Sequence, residues 1–451
     1  MLQPMNARPE VRPFHTAAAA FAGGTDSPRE LLERCIGVID ATERDVQAFE
    51  YLDLDGARKQ ADASTARYRA GTPASSIDGI PFGVKDIIET ADMPTGMGSP
   101  LFTGYRSGRD AASVIALREA GAVIVGKTVT TEFAATVPGK THNPWDLART
   151  PGGSSSGSAA AVGSGMLCAA LGTQVIGSIL RPASYCGCVG YKPTVGGINR
   201  GGSLDFHSQS THGVLAATLE DAWHVAREIT ARAGGDPGYP GIRGPMTAPP
   251  ARKPATLAFI ETAGWTLATA DAKNKLQAAL AALRSAGVTI VDRATSSDVA
   301  VVEATLTDAR ALSARINMWE FRWPLNTFAR DMDHAKLSGV MQQRLLDAEA
   351  MTLEDYQAAL VRRDEVRATY ARLAASCDAA ISLSAPGPAP HGLASTGEPA
   401  FVVPGSLLGV PAVSLPLLET ESLPLGLQLL GFLDRDADVF AVAAGVRAIL
   451  S

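Results

Sequence analysis

The sequence predicts an α/β protein in which helices cover a central sheet, and three observations lead there. Helical stretches alternate with short apolar runs along most of the chain. Runs such as "AVIVG" are continuous rather than alternating, as expected for strands buried on both faces. Neither an internal repeat nor a stretch of eighteen apolar residues breaks the rhythm. With 451 residues, 46% hydrophobic, the chain can fill one thick core or two to three ordinary domains.

In chain order, Ser27 followed by Pro28 opens "RELLERCIGVIDATERDV" as a helix, with a capping hydroxyl and a proline in the first turn. An Ala-rich polar helix follows at about 56–70, then a turn at Asp78-Gly79, then the run "IPFGV" that delivers Lys85. "DAASVIALREAG" reads as a helix and "AVIVG" as a buried strand. The middle repeats the pattern in "TLAFI", "ADAKNKLQAALAALRSAG" and "VTIVDR". A long helical stretch is expected from about 298 to 377, interrupted at Pro324. Strands return in "DAAISLS", "AVSLP" and "GLQLLG" before a closing helix, and the Pro/Gly-rich segment 384–411 is expected as loops beneath the sheet edge.

Composition excludes several functions. A net charge of -6 supplies no basic face for nucleic acid or anionic membrane, so the expected partners are small molecules. The N-terminus has no secretory apolar run, which predicts a cytoplasmic protein. Five thinly spread cysteines, Cys35, Cys168, Cys186, Cys188 and Cys377, read as buried thiols rather than a disulfide framework or a metal pair. The seven histidines include no pair at the i, i+4 helical spacing, so no metal site and no cofactor is expected. Gly121 to Thr128 fits the pattern G-x-x-x-x-G-K-T, but its middle positions are the strand itself and a helix precedes them, so it is not a phosphate loop. No G-x-S-x-G elbow marks a Ser-His-Asp hydrolase.

One stretch remains, "RTPGGSSSGSAAAVGSG" at residues 149–165, continuing toward "TQVIGSILRPASYCGCVGYKPT". A linker would give way to solvating charge, whereas this segment runs on into small-residue packing. It reads as buried, so Ser154, Ser155, Ser156 and Ser178 need hydrogen-bond partners, whether as loop caps or as a catalytic network.

These residues resemble the amidase signature family. "GIPFGVKDI", "PGGSSSGSAAAVGSGM", "GTQVIGSILRPASYCGCVGYKPT", "GVPAVSLP" and "PLGLQLLG" occur in the family's order, and the 24 positions from Ser154 to Ser178 match its interval. "GKTVTTEFA", "NPW", the Gln of "GTQ" and an Arg three residues past the nucleophile resemble malonamidase-type members. The resemblance implies a single α/β/α layered domain at 25–451 with a mixed twisted sheet, after a tail at 1–24. Its catalytic core would be about 78–233 and 378–451, with a helical substrate-side region at about 298–377. It also implies that Ser178 is the nucleophile, that Ser154, after a cis peptide bond, relays its proton, and that Lys85 is the base. Ser-Lys chemistry of this kind is sound only if burial or positive neighbours keep the lysine neutral. Val175, Ile176, Gly177 and Ser178 would supply the oxyanion hole.

Two positions depart from the family pattern. Ile176 stands where the common form has glycine, so either ordinary dihedrals suffice there or the hole is reshaped. Arg181 either holds a substrate carboxylate or braces the structure. Trp319, Phe321, Trp323 and Phe328 line an apolar pocket or pack in the core. With Ile176 given the greater weight, the expected activity is hydrolysis of small neutral or aryl amides, with esters and carbamates accepted, by a monomer or homodimer. The alternatives are a malonamate-like anionic amide hydrolase, or the glutamine-hydrolysing subunit of a tRNA-dependent amidotransferase.

Overall fold

The computed structural model describes residues 8–451. Eleven strands form one sheet: β1 Phe49–Leu52, β2 Pro81–Lys85, β3 Val123–Thr128, β4 Ala169–Gln174, β5 Val189–Lys192, β6 Thr211–Ala216, β7 Thr256–Phe259, β8 Thr289–Val291, β9 Ala379–Leu383, β10 Ala412–Thr420 and β11 Leu423–Leu430. Their order is β1-β3-β2-β4-β6-β5-β10-β11-β9-β7-β8. β2 is parallel to both β3 and β4, and β7 to both β8 and β9. Between these parallel patches β6, β5, β10 and β11 run antiparallel to their neighbours. The mixed, helix-covered sheet is the architecture expected. The central strands are buried along their whole length, as their apolar composition requires.

The helix Pro28–Val46 begins as read: Ser27 Oγ accepts the Glu30 amide and Pro28 occupies the first turn. "AVIVG" forms β3 behind the helix Ala112–Glu119, so the phosphate-loop reading fails for the reason given. All five cysteines are free and buried. Within the expected tail at 1–24, residues Phe14–Ala22 form a helix that buries Phe14 and Phe21 against the core. Among the described residues, no helix is long and apolar enough to cross a membrane.

Two expectations are corrected. Pro324 does not interrupt the helical region. It lies inside one helix, Ala309–Asp331, while the breaks fall at 307–308, 332–338 and 350–352. An interior proline costs a helix about 3 kcal/mol, and burial of the flanking Phe321 and Leu325 outweighs it. The segment 384–411 is not beneath a sheet edge, because β9, from which it leaves, lies inside the sheet and the edges are β1 and β8. It contains the helix Val403–Leu408, and residues 394–397 and Pro399 wall the main cavity.

Candidate active site

Lys85 is the last residue of β2, and the parallel neighbour β4 brings Thr173 to the same carboxyl end of the sheet. That end is where open α/β sheets bind ligands. Lys85 is wholly buried. Its Nζ lies 2.7 Å from Ser154 Oγ and donates to Thr173 Oγ1 at 2.8 Å and Thr173 O at 3.4 Å. Burial pushes the ammonium pKa down to about 7, opposed in part by the charge of Asp205. Nζ therefore faces hydroxyls rather than a carboxylate, and near neutrality a large share of it carries a lone pair.

The serine run is bound into the sheet as a network. Gly152, with φ +83°, turns the chain into a cis Gly153–Ser154 peptide. The amide of Ser155 donates to Ser178 O at 3.2 Å, so the two serine segments are tied by their backbones. Ser155 Oγ accepts the Thr173 amide at 3.3 Å, and Ser158 Oγ donates to Leu171 O at 2.9 Å. The helix Ser156–Gly163 then leads away from the site, completely buried.

Between β4 and the helix Leu180–Cys186, residues 175–178 form a turn along the cavity wall. The amides of Ile179 and Leu180 are taken by Gln174 Oε1 at 2.9 and 3.0 Å. Ser406 Oγ donates to Ile176 O at 3.1 Å and accepts from Gln174 Nε2 at 3.1 Å. In a trans peptide the N–H points opposite to the C=O. Fixing Ile176 O on Ser406 therefore turns the Gly177 N–H the other way, and the Gly177 carbonyl, held by the Arg181 amide, does the same for the Ser178 N–H. Among the described residues the amides of Ile176, Gly177 and Ser178 donate to no backbone group. Ile176 has an ordinary negative φ, which settles how a β-branched residue is accommodated there. A Cβ on Gly177 would collide with Val402.

The main cavity, about 410 Å³, opens beside Ser178 and is lined by Phe133, Ile176, Arg181, Met318, Phe321 and Arg344, among others. Arg181 is buried, with its pKa lowered by desolvation to about 10. One of its nitrogens donates to Gly153 O at 2.6 Å and Thr396 Oγ1 at 2.9 Å, while Nε has no partner among the described residues. The residue thus braces the loop before Ser154 and reaches the cavity. Arg310 is neutralised by Glu398 at 2.8 Å. Arg344 lies over the Phe321 ring at 5.2 Å, and its pKa is lowered by desolvation alone. Among the described residues no carboxylate lies within ion-pair distance of Arg181 or Arg344.

Lys85, Ser154, Ser178, the 175–178 turn and Arg181 are thus brought together as the sequence suggested. The aromatic group divides. Phe321 reaches the cavity, Phe328 packs on Phe133, Trp319 stacks on Tyr356, and Trp323 is exposed. Sequence reasoning missed Thr173, which sits unmarked within the "GTQVIGS" motif, and Arg344, Thr396 and Ser406, which lie outside the quoted motifs.

Three comparisons bear on this geometry. The profile of the Amidase family matches residues 30–440. A glutamyl-tRNA(Gln) amidotransferase component from Anaeromyxobacter sp. (strain K) is 34% identical over 96% of this chain and 94% of its own length. A crystal structure of an amidase superposes with a TM-score of 0.82 at 28% identity, covering 97% of this chain and 99% of its own. The peptide amidase of Stenotrophomonas maltophilia superposes with a TM-score of 0.76 at 26% identity, covering 96% and 95%.

Proposed function

The chain belongs to the Amidase family, enzymes of amide chemistry, and from that premise we propose that it hydrolyses small amides carrying a carboxylate, through an acyl-enzyme on Ser178. The observation that carries the chemistry is Lys85 Nζ, wholly buried, 2.7 Å from Ser154 Oγ and with its pKa lowered to about 7. Ser154 and Ser178 line one small cavity, and the proposed relay runs across it from the Ser178 hydroxyl through Ser154 to Lys85.

In acylation Ser178 Oγ attacks the amide carbon. Its proton passes to Ser154 Oγ, while the Ser154 proton moves to Nζ. The amides of Ile176, Gly177 and Ser178 receive the oxyanion. Such donors are each worth about 3 kcal/mol in the transition state. The same proton returns along the path to the departing nitrogen as the C–N bond breaks, which leaves an ester on Ser178. Water then attacks that ester, and the acid is released.

The substrate class rests on Arg181 and Arg344, two guanidiniums without acidic partners among the described residues, in a cavity whose wall includes the apolar Phe133, Ile176, Met318 and Phe321 beside polar His207, Asn317 and Thr396. Desolvated cations favour an anion, and a fork of N–H donors suits a carboxylate. This weighs against the neutral aryl amide expected first and for the anionic alternative. A short anionic amide should be turned over with higher kcat/KM than a neutral aryl amide of similar size. Arg181→Ala should lower that ratio by roughly 10- to 100-fold, the loss of a charge-assisted pair. A wild-type ratio below one that Arg181→Ala leaves unchanged would overturn the assignment.

A second reading is favoured by the 34% identity to an amidotransferase component over nearly the whole chain. Glutamine is itself an amide bearing a carboxylate, so the cavity argument suits it as well. Glutamine hydrolysis that appears only when other subunits of an amidotransferase are added would select this reading. Turnover of malonamate-type amides by the isolated chain would select the free-standing enzyme.

A further inference from the structure

The loop between β5 and β6 carries Asp205 and His207 into the site. Together with Ser154, Thr173, Ser178 and Ser210 they line a cavity of about 10 Å³. That is about the space one water molecule needs, and a buried water needs two to four polar partners. His207 also lines the main cavity, as Ser178 does.

The ring is held in one orientation. It is buried, lies against Phe321 with centroids 5.3 Å apart, and turns Nδ1 toward Asp205 Oδ1 at 3.5 Å. Arg200 donates to the His207 carbonyl at 2.8 Å. Nε2 is buried and has no hydrogen-bond partner among the described residues. Burial pushes the Asp205 carboxyl up, but His207, Arg200 and the Ser210 hydroxyl outweigh it and hold the group well below the usual carboxylate range. With Nδ1 facing the Asp205 carboxylate, the tautomer that carries its proton on Nδ1 has its lone pair on Nε2. A buried ring nitrogen with no partner calls for an explanation, and a water in the small cavity beside Ser178 supplies one.

We propose that His207 is the general base of deacylation, holding the hydrolytic water between its Nε2 and Ser178 while Asp205 orients the ring. The inference rests on the acyl-enzyme reading above. One water proton passes to Nε2 as the water oxygen bonds to the acyl carbon. The C–Oγ bond of Ser178 then breaks, and Oγ takes the proton back from Nε2. The second water proton leaves with the carboxylic acid, which ionises. Acylation keeps its own path through Ser154 and Lys85.

Because the two half-reactions use different bases, they can be separated. With an aryl ester as probe, His207→Ala should lower steady-state kcat about 100-fold, within the range for one general base. The pre-steady-state burst of aryl alcohol and the rate of fluorophosphonate labelling should stay within about threefold of wild type. Intact-mass spectrometry should show the variant accumulating one acyl group, and added hydroxylamine should restore turnover. His207→Gln, which keeps a polar side chain in the loop, should behave alike and controls for folding. Equal slowing of burst and kcat without an accumulated acyl group would overturn the proposal, as would an unchanged kcat in both variants. Failure of the acyl-enzyme reading itself looks different: wild type would then show no burst and no labelling of Ser178.

Discussion

Lys85 and Lys192 are the same residue in two kinds of place. Each ends a strand, each is wholly buried, and desolvation pushes each to about 7. Lys192 donates to the carbonyl of Pro193 at 2.8 Å and sits in the field of Asp436, away from the residues that line the two cavities at Ser178. Lys85 faces Ser154 and, beyond it, a cavity with Ser178. Lys127, a third buried lysine, is paired with Asp86 at 3.1 Å. Burial alone therefore generates a neutral-leaning lysine. What suits Lys85 to the proposed role of base is the Ser154 hydroxyl at 2.7 Å and the cavity that hydroxyl shares with Ser178.

The largest expected effect breaks the comparison at its centre. Lys85→Met and Ser178→Ala should each lower kcat/KM by at least about 10⁴-fold, because members of one catalytic unit fail together. Lys85→Arg should fail as badly, since a guanidinium stays charged. Ser154→Ala should cost about 10²- to 10⁴-fold through the lost relay. Lys192→Met should stay within about threefold of wild type once stability is accounted for. Steady-state assays on purified variants check each of these, and equal losses in Lys85→Met and Lys192→Met would remove the distinction between the two lysines.

The sequence made one half of this comparison legible. Ser154 and Ser178 lie in Gly-rich segments whose composition suits neither a linker nor a simple strand, while Lys85 follows the apolar run "IPFGV" and is singled out by the resemblance alone. The helix-strand rhythm likewise foretold a covered sheet. Thr173 was hidden because a threonine near a strand end is ordinary β composition. Arg344 and Ser406 were hidden because they come from two separate helices that meet the site only through tertiary packing. Pro324 misled for a related reason: local propensity marks a break, and the packing of Phe321 and Leu325 overrides it. The position of 384–411 depended on strand order, and β9 pairs with β7 and β11 through contacts no local pattern reveals.

A smaller effect sharpens the Lys85 side. As the base must be neutral, kcat/KM should fall about tenfold per pH unit below about 7. Thr173→Val removes an acceptor that favours the charged ammonium more than the neutral amine. The limb should then move to lower pH, while the plateau drops roughly 5- to 10-fold as the lysine loses an orienting hydrogen bond. Lys192→Met should leave the limb where it is. A limb that follows Lys192→Met and ignores Thr173→Val would assign the titration to the wrong lysine.

The smallest effect concerns stability, and it asks whether Lys192 carries the cost of a buried amine without its use. Its pKa is lowered to about 7 in the folded protein, against about 10.4 in an unfolded chain. Between these values the unfolded state binds more protons, so the contribution of this lysine to stability rises with pH across that window and is flat below about 7. Wild type therefore bears the full penalty at pH 6 and little of it near pH 10. Methionine is close in length, does not titrate and fills the same apolar surroundings, although it leaves the Pro193 carbonyl unpaired. The lost hydrogen bond lowers Tm by a similar amount at every pH, whereas the relief from burying an ammonium exists only at the acid end. The Tm of Lys192→Met minus that of wild type should therefore be most favourable to the variant near pH 6 and should decline steadily toward pH 10. Lys85 stays titratable in both proteins, so its own linkage cancels in the difference. A Tm difference that stays constant from pH 6 to 10 would mean that Lys192 remains protonated in the fold, and that Lys85 owes its basicity to something beyond burial.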